Sequence, residues 1–226
     1  RFRHPLRLVV AYVALPHARR RAAHRAAAAA LLAQPDPPAG LVSLHLHRSG
    51  DRAGSWTWSR LAAERTDSAE TRVELLQRAL DAAQRLRNVT RLERAAALED
   101  LGDAHEVLGR FADAEGAYRA ALRLDTDPNA SVRRATKVAR VCEVQAQLGR
   151  ALRWCGRAER AASGLPAAAL AFTTRVRAAV LFRRGELVPA KDAYVRAAEL
   201  ARAAHDRPLL ATALKGQGTT QELLGE

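Results

Sequence analysis

A glycine followed by a charged residue recurs at nearly constant intervals along this chain. The pairs are Gly109-Arg110, Gly149-Arg150, Gly185-Glu186 and Gly225-Glu226, so the spacings are 40, 36 and 40 residues. A glycine can end a helix in the left-handed backbone conformation and release the chain into a turn. Repetition at this period is typical of helical-repeat proteins, in which each helix pair buries its apolar side against a neighbouring pair. We therefore expect a helix end at each glycine.

The composition favours helix throughout. Of the 226 residues 48% are hydrophobic and only 4% are aromatic, a balance that suits α-helices and lacks the usual residues of β-sheets. The sequence predicts an all-α fold. It contains no methionine and begins with Arg1, so we expect it to be a segment of a longer protein. The apolar runs are far shorter than the roughly 20 residues that span a bilayer, which predicts no membrane span.

The clearest repeat unit runs from about residue 94 to residue 128. Two apolar stripes with helical spacing predict two helices that pack on each other. The first stripe consists of Leu98, Leu101, Gly102, His105 and Leu108, and the second of Phe111, Ala114, Tyr118, Ala121 and Leu122. We expect Pro128 to end the second helix.

This unit resembles the tetratricopeptide repeat. The matching residues, in the order of the family, are Leu101, Gly102, Gly109, Ala114, Tyr118, Ala121 and Pro128. The resemblance implies an α-solenoid of helical hairpins that winds into a right-handed superhelix. In this family the first helices of successive hairpins line a concave groove that binds partners.

The spacing predicts further units on both sides of this one. The unit at about 130–165 is degenerate, with Trp154 where the family prefers alanine and Ala158 where it prefers an aromatic residue. The unit at about 171–206 recovers the pattern. The first helix of a final repeat is expected from Leu209 to Leu224, and this repeat is therefore expected to be truncated. Upstream, residues 55–65 and 69–87 predict another helical pair, and the repeat array therefore covers residues 55–226.

The first part of the chain differs from the array. We predict a helical tail over residues 1–34, and a linker with a short helix over residues 35–54, broken by Pro35 to Pro38 and Gly40. Several motifs in this region resemble large bacterial signalling ATPases, namely actinobacterial adenylate/guanylate cyclases with an AAA-type ATPase module and LuxR-type ATP-binding regulators. The motifs are Arg1 to Leu6, Tyr12, Leu15, Arg19 to Arg21, His24, Leu41 to His45, Gly50-Asp51 and Trp56 to Ala62.

That resemblance implies a tail that follows a winged-helix and ATPase module in the parent protein. Where the family has an arginine followed by an acid, this chain has Leu8 and Val9. No lysine follows a glycine, so the chain holds no phosphate-binding loop of the Walker type, and Gly216-Gln217-Gly218 lacks the third glycine of a dinucleotide site. We predict no catalytic residue, no cofactor and no metal site.

The histidines and cysteines have ordinary explanations. His45 and His47 lie two residues apart and point to different sides of a helix, so packed or capping histidines are favoured over metal ligands. His105 is predicted to be a packed interior histidine. Cys142 and Cys155 have no partner cysteines or histidines at metal-ligand spacing and are expected to be reduced, buried thiols in a cytoplasmic protein.

The positive charge is concentrated at the beginning of the chain. The formal net charge is +13, and residues 1–30 hold seven arginines and no acid. A possible basic contact consists of Arg19, Arg20, Arg21 and Arg25. These arginines could form a solvated helix face or pair with acids of the parent protein; they could contact the ATPase module; or they could bind nucleic acid or anionic lipid.

The resemblance also assigns residues to the groove. The predicted groove residues are Glu99, Asp103, Glu106, Glu143, Gln147, Arg175, Arg183 and Lys215. Such a surface would be acidic at one end and basic at the other and could orient an extended peptide or a partner helix. The alternative is that these side chains are solvated and pair along their own helices.

We therefore predict a non-catalytic module for protein–protein interaction and regulation in a multidomain, nucleotide-dependent signalling protein, and the resemblance implies a parent of the adenylate/guanylate cyclase type. Its partner would be a protein, a peptide or the upstream ATPase module. The alternative is a segment of a transcriptional regulator that binds nucleic acid through its basic N-terminal helix.

Overall fold

The computed structural model describes residue 10 and residues 12–226 of the chain. The predicted motif at Arg1 to Leu6 and the departure at Leu8 and Val9 lie outside the described residues. Within them the chain forms eleven α-helices and one 3₁₀-helix and contains no strand, which confirms the predicted all-α fold. No helix among the described residues is long and apolar enough to cross a membrane.

The chain divides into two compact units, residues 1–104 and 105–226, called unit 1 and unit 2 below. The helices are α1 (His17–Leu32), α2 (Ala39–Ser49), α3 (Arg52–Arg65), α4 (Ala69–Ala83), α5 (Arg91–Val107), α6 (Phe111–Leu124), α7 (Pro128–Val144), α8 (Leu148–Ala161), α9 (Ala171–Arg183), α10 (Leu187–Ala203) and α11 (Arg207–Leu224), with the 3₁₀-helix at Ala167–Leu170.

Consecutive helices pack against each other within each unit. In unit 1, α1 contacts α2, α2 contacts α3, and α3 contacts α4. In unit 2, α7 pairs with α8 and α9 pairs with α10, and the first helices α7, α9 and α11 also contact one another in succession. This pattern is typical of stacked helical hairpins. Leu101 in unit 1 and Tyr118 in unit 2 are both buried.

Polar side chains begin several helices. The carboxylate of Asp127 accepts a hydrogen bond from the backbone N–H of Ala130 at 2.8 Å, and Asp51, Ser68 and Asp206 cap α3, α4 and α11 in the same way. Such caps satisfy backbone donors that have no partner within the helix. Pro128 follows Asp127 as the first residue of α7, while α6 already ends at Leu124. Our prediction that Pro128 ends the second helix is therefore wrong, because a proline at the first helical position loses no hydrogen bond.

A left-handed glycine follows α5, α9 and α11. Gly109, Gly185 and Gly225 have φ values of 69°, 79° and 74°. In each case the following residue donates its backbone N–H to the carbonyl five residues before itself, as Glu186 does to Leu181 at 3.0 Å. These are the hydrogen bonds of a Schellman cap. The glycine prediction is confirmed at these three positions.

The fourth predicted turn glycine, Gly149, lies inside α8 instead. The left-handed residue of that turn is Ala146, with a φ of 58°, and the N–H of Gln147 completes the cap by donating to the carbonyl of Cys142 at 2.8 Å. The prediction at Gly149 is therefore wrong. The cap forms around Ala146 instead, because an alanine can adopt the left-handed conformation at a modest cost in energy. The true turn spacings from residue 109 onward are 37, 39 and 40 residues.

The corrected register aligns the second helices of unit 2. Ala114, Ala151 and Ala190 are equivalent and fully buried, and so are Ala121, Ala158 and Ala197. The position of Tyr118 is taken by Cys155 in α8 and by Tyr194 in α10. The sequence-based alignment placed Trp154 and Ala158 three residues out of register, so the unit at 130–165 keeps the small residues that it was predicted to lack. Small side chains at these positions let paired helices approach closely.

We predict that Ala146→Gly stabilises the protein. Glycine adopts the left-handed conformation without the steric cost that an alanine Cβ incurs, which is about 1 kcal/mol. The free energy of unfolding, measured with urea, should rise by roughly that amount. The reverse change at the equivalent turn, Gly109→Ala, should lower it by a similar amount. Equal effects of the two substitutions, in either direction, would contradict this assignment of the turns.

Candidate binding surface

Several predicted groove residues lie on the first helices of unit 2 and pair with residues on neighbouring helices. Glu106, near the end of α5, forms an ion pair with Arg140 of α7 at 2.5 Å. It also accepts a hydrogen bond from the Tyr118 hydroxyl at 3.0 Å. The pairing therefore joins the end of α5 to α7 within unit 2. Sequence reasoning missed Arg140, although it lies one helical turn before Glu143 and so shares its face.

The next pair follows the same pattern one hairpin further along. Arg183 of α9 forms an ion pair with Glu143 of α7 at 2.9 Å and also donates to the backbone carbonyl of Glu143. The structure thus brings two predicted residues, one from each end of the proposed charge gradient, into direct contact. Glu106 and Glu143 are thus each paired with an arginine of a neighbouring helix.

Two basic residues of this surface have no such partner. Arg175 of α9 and Lys215 of α11 form no salt bridge within residues 12–226. The Arg175 guanidinium lies 5.3 Å from the centre of the Phe172 ring, and burial lowers the pKa of Arg175 below its usual value. We call the set Glu106, Arg140, Glu143, Arg175, Arg183 and Lys215 the first-helix face. Its remaining charge is positive and lies toward α9 and α11.

A cavity of about 230 Å³ lies beside Lys215. It is formed between α9, α10 and α11 and is lined by Phe182, Tyr194, Thr212, Lys215, Gly216 and Thr219. Burial raises the pKa of Tyr194, and Glu143 raises it further while Arg175 opposes the shift. The Tyr194 hydroxyl is therefore protonated at neutral pH and can donate a hydrogen bond. The cavity combines an aromatic wall, hydroxyl groups and one ammonium group.

Gly216 lines the cavity at the point where α11 packs against the Tyr194 ring. A Cβ atom on Gly216 would collide with the Tyr194 ring, whereas a Cβ on Gly218 would meet nothing within 4 Å. The two glycines therefore have different roles. The first permits close packing of α10 and α11, and this packing explains the Gly216-Gln217-Gly218 sequence without a phosphate site.

We predict that Gly216→Ala destabilises the protein while Gly218→Ala stabilises it. The first substitution forces Tyr194 out of its position, at a cost of roughly 1–3 kcal/mol. The second replaces an open helical glycine by the best helix former, with a gain of up to about 1 kcal/mol. Urea unfolding of both variants checks the pair, and an equal response would mean that Tyr194 does not pack on Gly216.

The remaining predicted groove residues lie elsewhere. Gln147 is the residue that precedes α8, beyond the end of α7, so its predicted position on the first helix is wrong because the turn begins at Ala146. In unit 1, the Glu99 side chain is buried, with 6% of its surface exposed. Asp103 lines a separate cavity of about 270 Å³ together with Arg60, Ala63, Glu64, Arg72, Leu76 and Asp100. A binding role for these three residues stays a prediction.

The predicted basic contact on α1 is partly used inside unit 1. The Arg21 side chain donates from Nε to the backbone carbonyl of Ser49 at 2.8 Å and lies over Gly50, at the end of α2. Arg20 lies 5.6 Å from the centre of the Tyr12 ring. Arg19, Arg21 and Arg25 are all exposed, and Arg20 is half-buried. Two of the four arginines therefore have structural contacts that are sufficient to explain them.

A chain of hydrogen bonds joins the start of the described chain to α1 and α2. The Tyr12 hydroxyl lies 2.8 Å from His24 Nε2, and His24 Nδ1 lies 2.9 Å from His45 Nδ1. His24 is buried, and burial lowers its pKa, with further lowering by the charges of His45 and Arg48. His47 lies apart from this chain and is 3.3 Å from the Ser55 hydroxyl. The described residues contain no cluster of three or more metal-ligating side chains.

We predict that unit 1 loses stability as the pH falls. The lowered pKa of His24 means that the unfolded chain binds the proton more readily, so the stabilisation is complete above about pH 6.5 and declines below it. The thermal unfolding midpoint should therefore fall as the pH is lowered from about 7.5 to about 5.5. The fall should be smaller in His24→Gln than in the unsubstituted chain. His17→Gln, an exposed change on the same helix, is the control and should leave the pH dependence unaltered.

His105 and the two cysteines are buried, as expected. Cys142 and Cys155 are free thiols, and burial raises the pKa of Cys155 to about 12. Burial also lowers the pKa of His105, which keeps its ring neutral at physiological pH. A thiol with so high a pKa is a poor nucleophile. These residues serve the packing of the helices.

The chain is similar in structure to solved helical proteins. The crystal structure of BtubC (BKLC) from P. vanneervenii matches with a TM-score of 0.61 at 15% identity, covering 93% of this chain and 85% of that chain. The Rap protein complexed with Competence and Sporulation Factor matches with a TM-score of 0.41 at 16% identity, covering 91% and 70%. No protein-family model and no curated protein matches this sequence. The similarity to BtubC, together with the stacked hairpins of unit 2, confirms the predicted helical-repeat fold.

Proposed function

We propose that this chain is a non-catalytic helical-repeat module that binds a protein or peptide partner through the first-helix face of unit 2. The observation that carries the proposal is Lys215, which forms no salt bridge among the described residues and lines an aromatic-walled cavity. Arg175 of α9, which stacks on Phe172, adds a second positive charge without a salt bridge. A partner with a carboxylate and an apolar side chain fits this combination. The carboxylate would reach Lys215, and the apolar side chain would enter the space between Phe182 and Tyr194.

The neutralised part of the same face supports a defined direction of binding. Glu106 and Glu143 are already paired with Arg140 and Arg183, so they attract a cationic partner only weakly. The unbalanced positive charge lies toward α11. An extended peptide would therefore bind with its acidic end near Lys215. This is a revised form of the charge gradient that the sequence predicted.

The regulatory context of the proposal rests on the sequence resemblance in the first part of the chain. The motifs Leu41 to His45, Gly50-Asp51 and Trp56 to Ala62 resemble the cyclase-type signalling ATPases. We propose that the chain passes a binding event to an ATPase module of a signalling parent. Arg19 and Arg25, which are exposed on α1, are the side chains that remain for contact with such a module.

The nucleic-acid alternative depends on the same helix and has less support. It needs several arginines of α1 to be available to phosphates. Arg21 holds the end of α2, and Arg20 stacks on Tyr12. The interaction module is therefore the proposal that we retain.

A peptide-display selection tests the proposal. Peptides that are enriched on the unsubstituted chain should carry a carboxylate next to an apolar residue. Lys215→Glu should weaken their binding by about tenfold, since a repulsive charge replaces an attractive one. Binding is measured by fluorescence anisotropy with synthetic copies of the enriched peptides.

Arg202→Glu is the matched control, because it makes the same charge change at an exposed position of α10. It should change the affinity by less than about twofold. Equal losses in the two variants would show that only net charge matters. Selection that enriches no peptide, or nucleotide turnover by the purified chain, would remove the proposal.

A further inference from the structure

The second helix of the hairpin α7–α8 carries an unusual charge pattern. Arg153, Arg157 and Arg160 are exposed on α8, and none forms a salt bridge within the described part of the chain. The acid in α8, Glu159, is held by Arg177 of α9 through two hydrogen bonds of 2.8 and 2.7 Å. The exposed side of α8 therefore presents three guanidinium groups without salt bridges, while its one carboxylate is already paired. We call these three residues the α8 arginine face.

This face points away from the core of unit 2. Ala151, Cys155 and Ala158 form the buried stripe of α8 and are fully buried. With 100° of rotation per residue, Arg153 and Arg160 lie about opposite the centre of that stripe. The three arginines spread over about 10 Å along the helix axis. Contact with a partner would need no rearrangement of the hairpin.

The second helices of the neighbouring hairpins carry different residues at the equivalent positions. In the corrected register, the positions equivalent to the α8 arginine face are Asp192, Arg196 and Glu199 of α10. There Arg196 pairs with Glu199 at 3.0 Å. The equivalent face of α10 thus mixes both signs of charge. The equivalent positions of α6 are Gly116, Ala120 and Arg123, so the face of α8 differs from that of α10 by lacking acids and from that of α6 by holding three arginines.

The spacing of the face matches a helix–helix seam. Gly149, Arg153, Gly156 and Arg160 follow one another at intervals of four, three and four residues, which is the spacing of the contact positions in paired helices. Apart from the backbone of α8, a Cβ atom on Gly149 would contact only the end of the Arg153 side chain, at 3.8 Å. A Cβ atom on Gly156 would contact only the end of the Arg160 side chain, at 3.6 Å. Internal packing therefore does not require either glycine. Because the glycines have no side chain, a partner α-helix can approach α8 closely between the arginines.

We propose that the α8 arginine face is a second docking surface, separate from the first-helix face, and that its occupant is an acidic α-helix of a partner protein. Carboxylates spaced at four and three residues on that helix would meet Arg153, Arg157 and Arg160 and form charge-assisted hydrogen bonds. A second copy of α8 is disfavoured because it would place arginine against arginine. The guanidinium groups supply the charge complementarity, and the glycines supply the close approach.

The test uses two stapled helical peptides, one with glutamates spaced at four and three residues and one with glutamines at the same positions. The glutamate peptide should bind the full chain at low salt, and the glutamine peptide should not. The triple change Arg153→Glu, Arg157→Glu and Arg160→Glu should weaken the glutamate peptide by about tenfold or more. The control changes Arg123, Arg196 and Arg202 to glutamate, which alters the net charge equally, and should shift the affinity by less than about twofold.

A further variant separates a protein helix from a nucleic acid. Gly156→Leu fills the seam but keeps every arginine, so it should weaken the glutamate peptide while leaving the helix intact by circular dichroism. A DNA duplex, tested in parallel, contacts the arginine ends and would tolerate the leucine. The proposal is overturned if the peptide does not bind, if the control triple variant loses as much affinity as the α8 variant, or if only DNA binds through these arginines.

Discussion

Close packing of alanine-sized side chains between paired helices is the constraint on which unit 2 depends. Ala114, Ala151 and Ala190 occupy equivalent, fully buried positions, and the residue four places later, Tyr118 in α6 and Cys155 in α8, fills the space beside them. A helix that packs through small residues brings its backbone close to its partner and leaves little room for adjustment. The left-handed turns at residues 109, 146 and 185 must therefore recur at the right point, because a turn shifted by one residue would rotate the alanines out of the interface.

This packing also determines where charge can be placed. Since many inner positions are small and apolar, most arginines and acids lie on the outer sides of the helices, and the buried Arg134 is paired with Asp125 at 2.7 Å. Within unit 2 acids and arginines of different helices meet, as in the pairs of Glu106 with Arg140 and of Glu143 with Arg183. The arginines of these pairs remain partly exposed, so each pair adds only modestly to stability. Their main consequence is electrostatic, because they cancel the charges of Glu106 and Glu143, whereas Lys215 forms no salt bridge among the described residues.

The sequence was sufficient to predict the helices of the array but not the register of one hairpin. The helical pairs follow from local apolar spacing, which is visible in the sequence. The turn at Ala146 was missed because a glycine was expected there and Gly149 lies only three residues away; a search for the buried Ala151, Cys155 and Ala158 spacing would have corrected it. Side-chain pairing could not be predicted in the same way. The contact of Arg21 with the Ser49 carbonyl joins residues far apart in sequence and depends on how α1 packs on α2.

The arginine content of the chain has two possible origins, and the structure separates them at one helix. Of the 37 basic residues only three are lysine, at positions 137, 191 and 215, a proportion that a bias toward arginine codons can produce anywhere in the chain. Such a bias acts equally on α8 and α10. It explains why the exposed basic residues are arginines, but it does not explain why acids alternate with them at Asp192 and Glu199 and are missing at the equivalent Arg153 and Arg160. The distribution of acids, rather than the number of arginines, therefore distinguishes the α8 arginine face from the equivalent face of α10.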